Sequence, residues 1–119
     1  MYGFNNCKPF PFTNGRLQII EIGKYQTFLT FDNGWRIQVM NRCSVLRNGS
    51  EFTSYNNQTG WQSTNFQTLI ELELNKIEII SDDMLTMYFE GGFEIHLFDD
   101  VKMYESLMIT GPNNQCIIV

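Results

Sequence analysis

Few residues in this chain have types and spacings that could do chemistry. His96 is the only histidine. It sits between Ile95 and Leu97, so strand alternation turns it away from those apolar neighbours and toward the face of Glu94 and Phe98. With no second histidine, a His-based metal site has no ligand set. No serine or cysteine stands at a spacing that marks it as a nucleophile served by His96. The carboxylates occur as Asp82-Asp83, Asp99-Asp100 and Glu105. Neither pair has the alternating oxygen ligands and bend glycine of a calcium loop, and each follows a strand-like run, where Asp bonds nearby backbone in a turn. Gly91-Gly92 lacks the lysine and the following helix of a phosphate cradle, so it is read as a hairpin turn. These residues lead to an expectation of no enzyme, no cofactor and no metal.

What remains is charge. From Glu71 to Val119 there are ten acidic residues against Lys76 and Lys102, whereas before Glu71 six basic residues outnumber Glu21, Asp32 and Glu51. The balance runs from +3 to −8 and sums to −5. An acidic chain with scattered basic residues is a poor nucleic-acid binder, because phosphate contacts need clustered Lys and Arg. An acidic face suits a basic protein partner, whose approach it would steer. The expected partner-binding residues are Asp82, Asp83, Glu94, Asp99, Asp100 and Glu105, with Tyr104 or Phe28 as aromatic anchors.

The elements that must carry these residues are strands. The sequence has 119 residues, no alanine and ten Phe. That length fits one domain able to bury roughly 65% of its unfolded surface. The lack of the best helix former beside plentiful β-branched and aromatic residues makes the chain mainly β. Cys7, Cys43 and Cys116 are too few and too scattered for a disulfide framework or a zinc site, which points to reduced thiols in the cytoplasm. The first residues contain Pro9 and Pro11 and no apolar run, so no signal peptide is expected, and no stretch suits a membrane helix. Cys116-Ile117-Ile118-Val119 matches a prenylation box, but no polybasic segment precedes it, and the residues read better as a closing strand.

The chain repeats itself. Leu17–Val39 aligns with Asn75–Leu97 at an offset of 58 residues, pairing Ile19 with Ile77, Ile22 with Ile80, Phe31 with Phe89, Gly34 with Gly92 and Ile37 with Ile95. Each copy reads as a strand, a turn and a hairpin, the first hairpin turning at Asn33-Gly34 and the second at Gly91-Gly92. A further hairpin follows each copy, at Asn48-Gly49 and at Gly111–Asn114. Between the copies, 17–55 and 75–119, the segment 56–74 is expected to hold a polar loop and one helix near 64–74. Thr64 would be its N-cap, Gln67 would complete a capping box, and Phe66, Leu69, Ile70 and Leu74 would form its apolar stripe. The fold expected is about eight to ten short antiparallel strands in two related halves, as a β-sandwich, roll or partly open barrel. Trp61 is expected to pack as a lid on the core, and Phe28 and Tyr88 to point outward.

Phe31-Asp32-Asn33-Gly34, Phe89-Glu90-Gly91-Gly92 and Tyr104-Glu105-Ser106 resemble a group of small uncharacterised bacterial proteins. Those proteins carry two such hairpins, a helix between them and a Tyr-Glu-Ser motif before a terminal hairpin. The resemblance spans 17–119 and implies a fold and a bacterial cytosolic setting, with no activity attached. The compact acidic type is also similar to immunity proteins of toxin systems. The function expected is therefore a non-enzymatic immunity protein that neutralises a cognate toxin, such as a basic nuclease. Two alternatives stand: a small-ligand β-barrel or cryptic enzyme using His96, and a module that oligomerises through edge strands such as Gln115–Val119.

Overall fold

The computed structural model describes residues 3–100 and 105–119. Eleven strands form one antiparallel sheet: β1 (Gly15–Ile22), β2 (Thr27–Phe31), β3 (Arg36–Val39), β4 (Arg42–Arg47), β5 (Ser50–Asn56), β6 (Gly60–Trp61), β7 (Glu73–Ser81), β8 (Met84–Phe89), β9 (Phe93–Phe98), β10 (Leu107–Thr110) and β11 (Cys116–Ile118). Alternation does what the residue pattern requires. Leu29, Phe31, Ile37 and Val39 of the first hairpin point inward and are buried, as are Leu85, Met87, Phe89, Ile95 and Leu97 of the second. Both sets join one core cluster, so the sheet wraps over its own inner face without closing into a barrel.

The order across the sheet is β11-β10-β3-β2-β1-β7-β8-β9-β4-β5-β6. Read outward from the middle, β1-β2-β3-β10-β11 mirrors β7-β8-β9-β4-β5. The ladders correspond residue by residue. Leu17 opposite Phe31, Ile20 opposite Leu29 and Ile22 opposite Thr27 match Leu74 opposite Phe89, Ile77 opposite Met87 and Ile79 opposite Leu85. Even the register slip recurs, between Leu17 and Ile19 and between Leu74 and Lys76. Leu74 stands 57 residues after Leu17, and Phe89 stands 58 after Phe31, so the second copy has one more residue in its first turn. This corrects the uniform offset of 58: the structure matches Ile20, not Ile19, with Ile77, and Ile22 with Ile79. The segments Leu17-Gln-Ile-Ile-Glu-Ile22 and Leu74-Asn-Lys-Ile-Glu-Ile79 then align at once.

The fourth strand of each half is exchanged. β4 follows β3 in the chain yet pairs with β9, placing Cys43 opposite Leu97 and Val45 opposite Ile95. Reciprocally, β10 follows β9 and pairs with β3, Leu107 opposite Val39 and Ile109 opposite Ile37. The halves meet where β1 pairs β7, with Gly15 opposite Leu74 and Arg16 opposite Glu73. Leu17 N–H donates to the Leu72 carbonyl at 3.0 Å, which continues this seam.

The seam also explains why the expected helix near 64–74 is a shorter 3-10 helix. A 3-10 turn spans Thr64–Leu69, and its N-cap is Ser63, whose hydroxyl accepts from Asn65 N–H at 3.2 Å. Phe66 and Leu69 are buried as the apolar stripe required. Glu71 adopts φ 79°, which no helix continues through, and its N–H donates to the Leu17 carbonyl at 2.6 Å. Pairing with β1 therefore takes the backbone that a longer helix would have used, and Leu74 belongs to β7. The polar loop is also shorter than the composition suggests, since Ser54–Asn56 completes β5 and Gly60–Trp61 forms β6. Trp61 packs on the core, stacked on Phe66 at 4.9 Å, with its indole N–H donating to Thr27 Oγ1 at 3.3 Å. No helix among the described residues is long and apolar enough to cross a membrane.

Candidate functional site

The acidic pairs of the second copy converge because β7, β8 and β9 are neighbours. Asp82 and Asp83 form the β7–β8 turn, where Asp83 N–H donates to Ser81 Oγ at 3.2 Å. Asp99 and Asp100 follow β9, and Asp99 N–H donates to the Asp83 carbonyl at 2.8 Å. The amino-terminal segment docks here as well. Phe4 N–H donates to the Asp82 carbonyl at 2.9 Å, Asn5 N–H to Asp82 Oδ1 at 3.2 Å, and Gly3 N–H to Asp99 Oδ2 at 2.7 Å.

These bonds sort the expected partner-binding residues. Asp99 is fully buried, which corrects its place on an exposed docking face: its carboxylate anchors the chain's first described residue. Asp82 and Asp83 are exposed. Asp100 accepts from Arg42 Nε at 3.0 Å and Nη2 at 2.5 Å, and from Asn41 Nδ2 at 3.0 Å. The same Arg42 guanidinium lies 3.7 Å over the Phe98 ring, so its charge is shared between partner and ring. Glu94 lies five residues before Asp99, about 16 Å along the strand, and is not part of this end. Phe28 is on the outer face of the other half, 3.9 Å beneath Arg36. Glu105 is exposed, and Tyr104 falls outside the described residues.

His96 takes the outer face that alternation assigned it. It is half-buried, with Nε2 3.0 Å from Glu94 Oε1. The ladder sets Ser44 directly opposite it on β4 and Thr86 opposite it on β8, a juxtaposition invisible in sequence because β4 reaches β9 only through the strand exchange. No hydrogen bond among the described residues joins Ser44 Oγ to His96, so the contact that would turn a serine into a nucleophile is not made. Tyr88 beside this row donates to Glu78 Oε1 at 2.9 Å, which raises the Tyr88 pKa.

A hollow of about 230 Å³ lies along β4 and β5, lined by Arg42, Ser44, Glu51, Ser54 and Asn56. It falls below the roughly 300 Å³ at which ordinary small-molecule pockets begin. Beneath it, burial pushes the Cys43 thiol up to about 12, and burial followed by the nearby Cys43 raises Tyr55. Cys7 is raised by burial and then by Asp99. All three cysteines are free, and only Cys116 is exposed. A thiol reagent at neutral pH is therefore expected to label Cys116 promptly and the other two only on unfolding. Mass spectrometry of briefly treated native protein should show a single adduct on the peptide carrying Cys116. No group of three or more His, Cys, Asp or Glu side chains among the described residues is arranged to hold a metal ion.

Comparisons with protein-family models, with curated proteins and with solved structures find no match to this chain.

Proposed function

We propose that this protein is a non-enzymatic cytoplasmic binding protein of the immunity type, which neutralises a toxin by covering a basic surface. The observation that supports this reading is the gathering of Asp82, Asp83 and Asp100 at one end of β7-β8-β9, in a molecule whose basic side chains are largely engaged at home. Arg16 lies near Glu73 and Glu90, Arg36 pairs with Glu21, and Lys76 with Glu78. Arg47 and Lys24 sit over the rings of Phe93 and Tyr25. Pairs this exposed add little to stability, but they take up positive charge that would otherwise offset the acidic end.

The partner expected is a protein whose substrate site is rich in Lys and Arg, as a nuclease requires. Asp82 and Asp83 would meet it directly, while Asp100 would exchange part of its bond to Arg42 for one to the partner. Co-expression with a neighbouring toxin gene product should give a complex that survives purification. Its association rate should fall at least about tenfold between about 50 mM and about 500 mM NaCl, because long-range steering is screened. The D82N/D83N double variant should fold normally and bind more slowly. A rate that ignores both salt and these substitutions would remove the acidic end from the interface.

A further inference from the structure

The sheet has two edges, and the chain treats them differently. Along β5 the outer edge is covered by the residues that follow it. Gln62 N–H donates to the Ser54 carbonyl at 2.8 Å, Asn65 Nδ2 to the Phe52 carbonyl at 3.4 Å, and β6 pairs with Tyr55 and Asn56. Glu51 adds an exposed charge. Among the described residues, the only ladder of β11 is with β10. Leu107 and Val119 exchange both backbone bonds, at 3.2 and 3.0 Å, so by antiparallel alternation Ile117 also bonds inward to β10. The N–H and C=O groups of Cys116 and Ile118 then face outward, and no described element takes them up.

This open edge is only three residues long, but it lacks the charges and the proline that commonly blunt an edge. From Ser106 to Val119 there is no charged residue, and Pro112 lies in the turn rather than in either strand. Cys116 is exposed, while Ile117 and Ile118 are half-exposed. Behind Ile118 a row continues across the outer face through Met108, Gln38 and Phe28, all half-buried. The corresponding row of the other half is Ser54, Ser44, His96 and Thr86, so three positions that are polar there are apolar here.

We propose that β11 pairs with β11 of a second copy, antiparallel about a two-fold axis at Ile117, so that the two sheets become one. The register follows from the outward groups. Cys116 exchanges both backbone bonds with Ile118 of the partner subunit, and Ile117 faces Ile117 of the partner subunit at a non-hydrogen-bonded position. The strand is its own complement in this arrangement, as an isologous contact requires. Charge favours a second copy over another kind of partner. A molecule of net charge −5 repels its own kind generally, and along the hairpin 106–119, which has no charged side chain, two copies meet without like charges. A charged partner would find nothing here to recognise. The contact uses none of the acidic side chains of the proposed toxin face, so toxin binding and self-pairing are tested by different substitutions.

The test is Ile117→Cys in a Cys116→Ser background. At a non-hydrogen-bonded antiparallel position the paired Cα atoms lie about 4.5 Å apart, within disulfide reach. Under mild oxidation this variant should run at twice the 13.9 kDa chain mass on a non-reducing gel, well ahead of an E105C/C116S control. Sedimentation of the unmodified protein should show a monomer–dimer equilibrium. Cys116→Lys, which alters only an exposed edge side chain, should weaken it at least about tenfold. A monomer at every concentration, or crosslinking no faster than in the control, would overturn the proposal. So would a different protein that co-purifies with the wild type and is lost with C116K while the chain itself stays monomeric.

Discussion

Phe31→Ala should cost about 3–5 kcal/mol, a large share of the roughly 5–15 kcal/mol that holds a domain of this kind together. Phe31 is 1% exposed, and its ring lies 5.1 Å from Phe12 and 6.3 Å from Phe89, nearly parallel to the latter. Phe89 is the residue that occupies the Phe31 position in the other half, so the two rings pack across the join between copies. Truncating either opens a cavity where neither hairpin can collapse without moving the other, since β1 and β7 are paired just above them. Phe28→Ala is the control. It removes the same ring from the outer face of the same strand, where it is half-buried beneath Arg36, and should cost less than about 1 kcal/mol. Urea unfolding should show a large fall in midpoint for Phe31→Ala and a small one for Phe28→Ala at similar slope. Equal shifts would mean that the join between halves is not a mechanical centre of the fold.

Alternation and turn glycines made both hairpins legible, because these signals are local and act within a few residues. Leu85, Met87 and Phe89 need only their own strand to be placed inward. The strand exchange is a different matter. β3 is joined to β4 by a two-residue link, Met40-Asn41, that would equally suit simple pairing of those two strands. Which pairing wins depends on how Val45 and Ile95 fit the shared core, and that shape is set by residues fifty positions apart. The helix near 64–74 is cut short at Leu69 for a related reason. Its apolar spacing was real, as the burial of Phe66 and Leu69 shows, but the edge of β1 competed for the backbone at Glu71 and Leu72. Asp99 is the clearest case at the candidate site. A carboxylate beside Asp100 reads as surface, and its burial depends on the Gly3 N–H, 96 residues away in the chain.

Alkali should unfold this protein early, with Cys43 a principal cause. The Cys43 thiol is raised by burial from an ordinary value of 9.0 to about 12. Below about pH 9 both folded and unfolded chains keep its proton, and the thiol contributes nothing to the pH dependence. Above that, the unfolded chain ionises while the folded chain holds its proton, so the folded state binds more protons and stability falls as pH rises. The slope approaches 1.4 kcal/mol per pH unit and accumulates to about 4 kcal/mol by pH 12. Tyr55 and Cys7 are raised too, each chiefly by burial, and act with the same sign. Cys43→Val isolates the largest contribution. Cys43 corresponds to Leu107 in the other half, a position that already takes an apolar side chain, and valine suits a strand. The variant should resemble the wild type at about pH 8 and lose stability less steeply from about pH 9 to about pH 11. Effects common to both proteins, such as growing net negative charge, cancel in the difference between their urea midpoints. A difference that does not widen with pH would show that Cys43 gains access to water in the folded chain, and with it that the core beneath the β4–β5 hollow opens more readily than its packing implies.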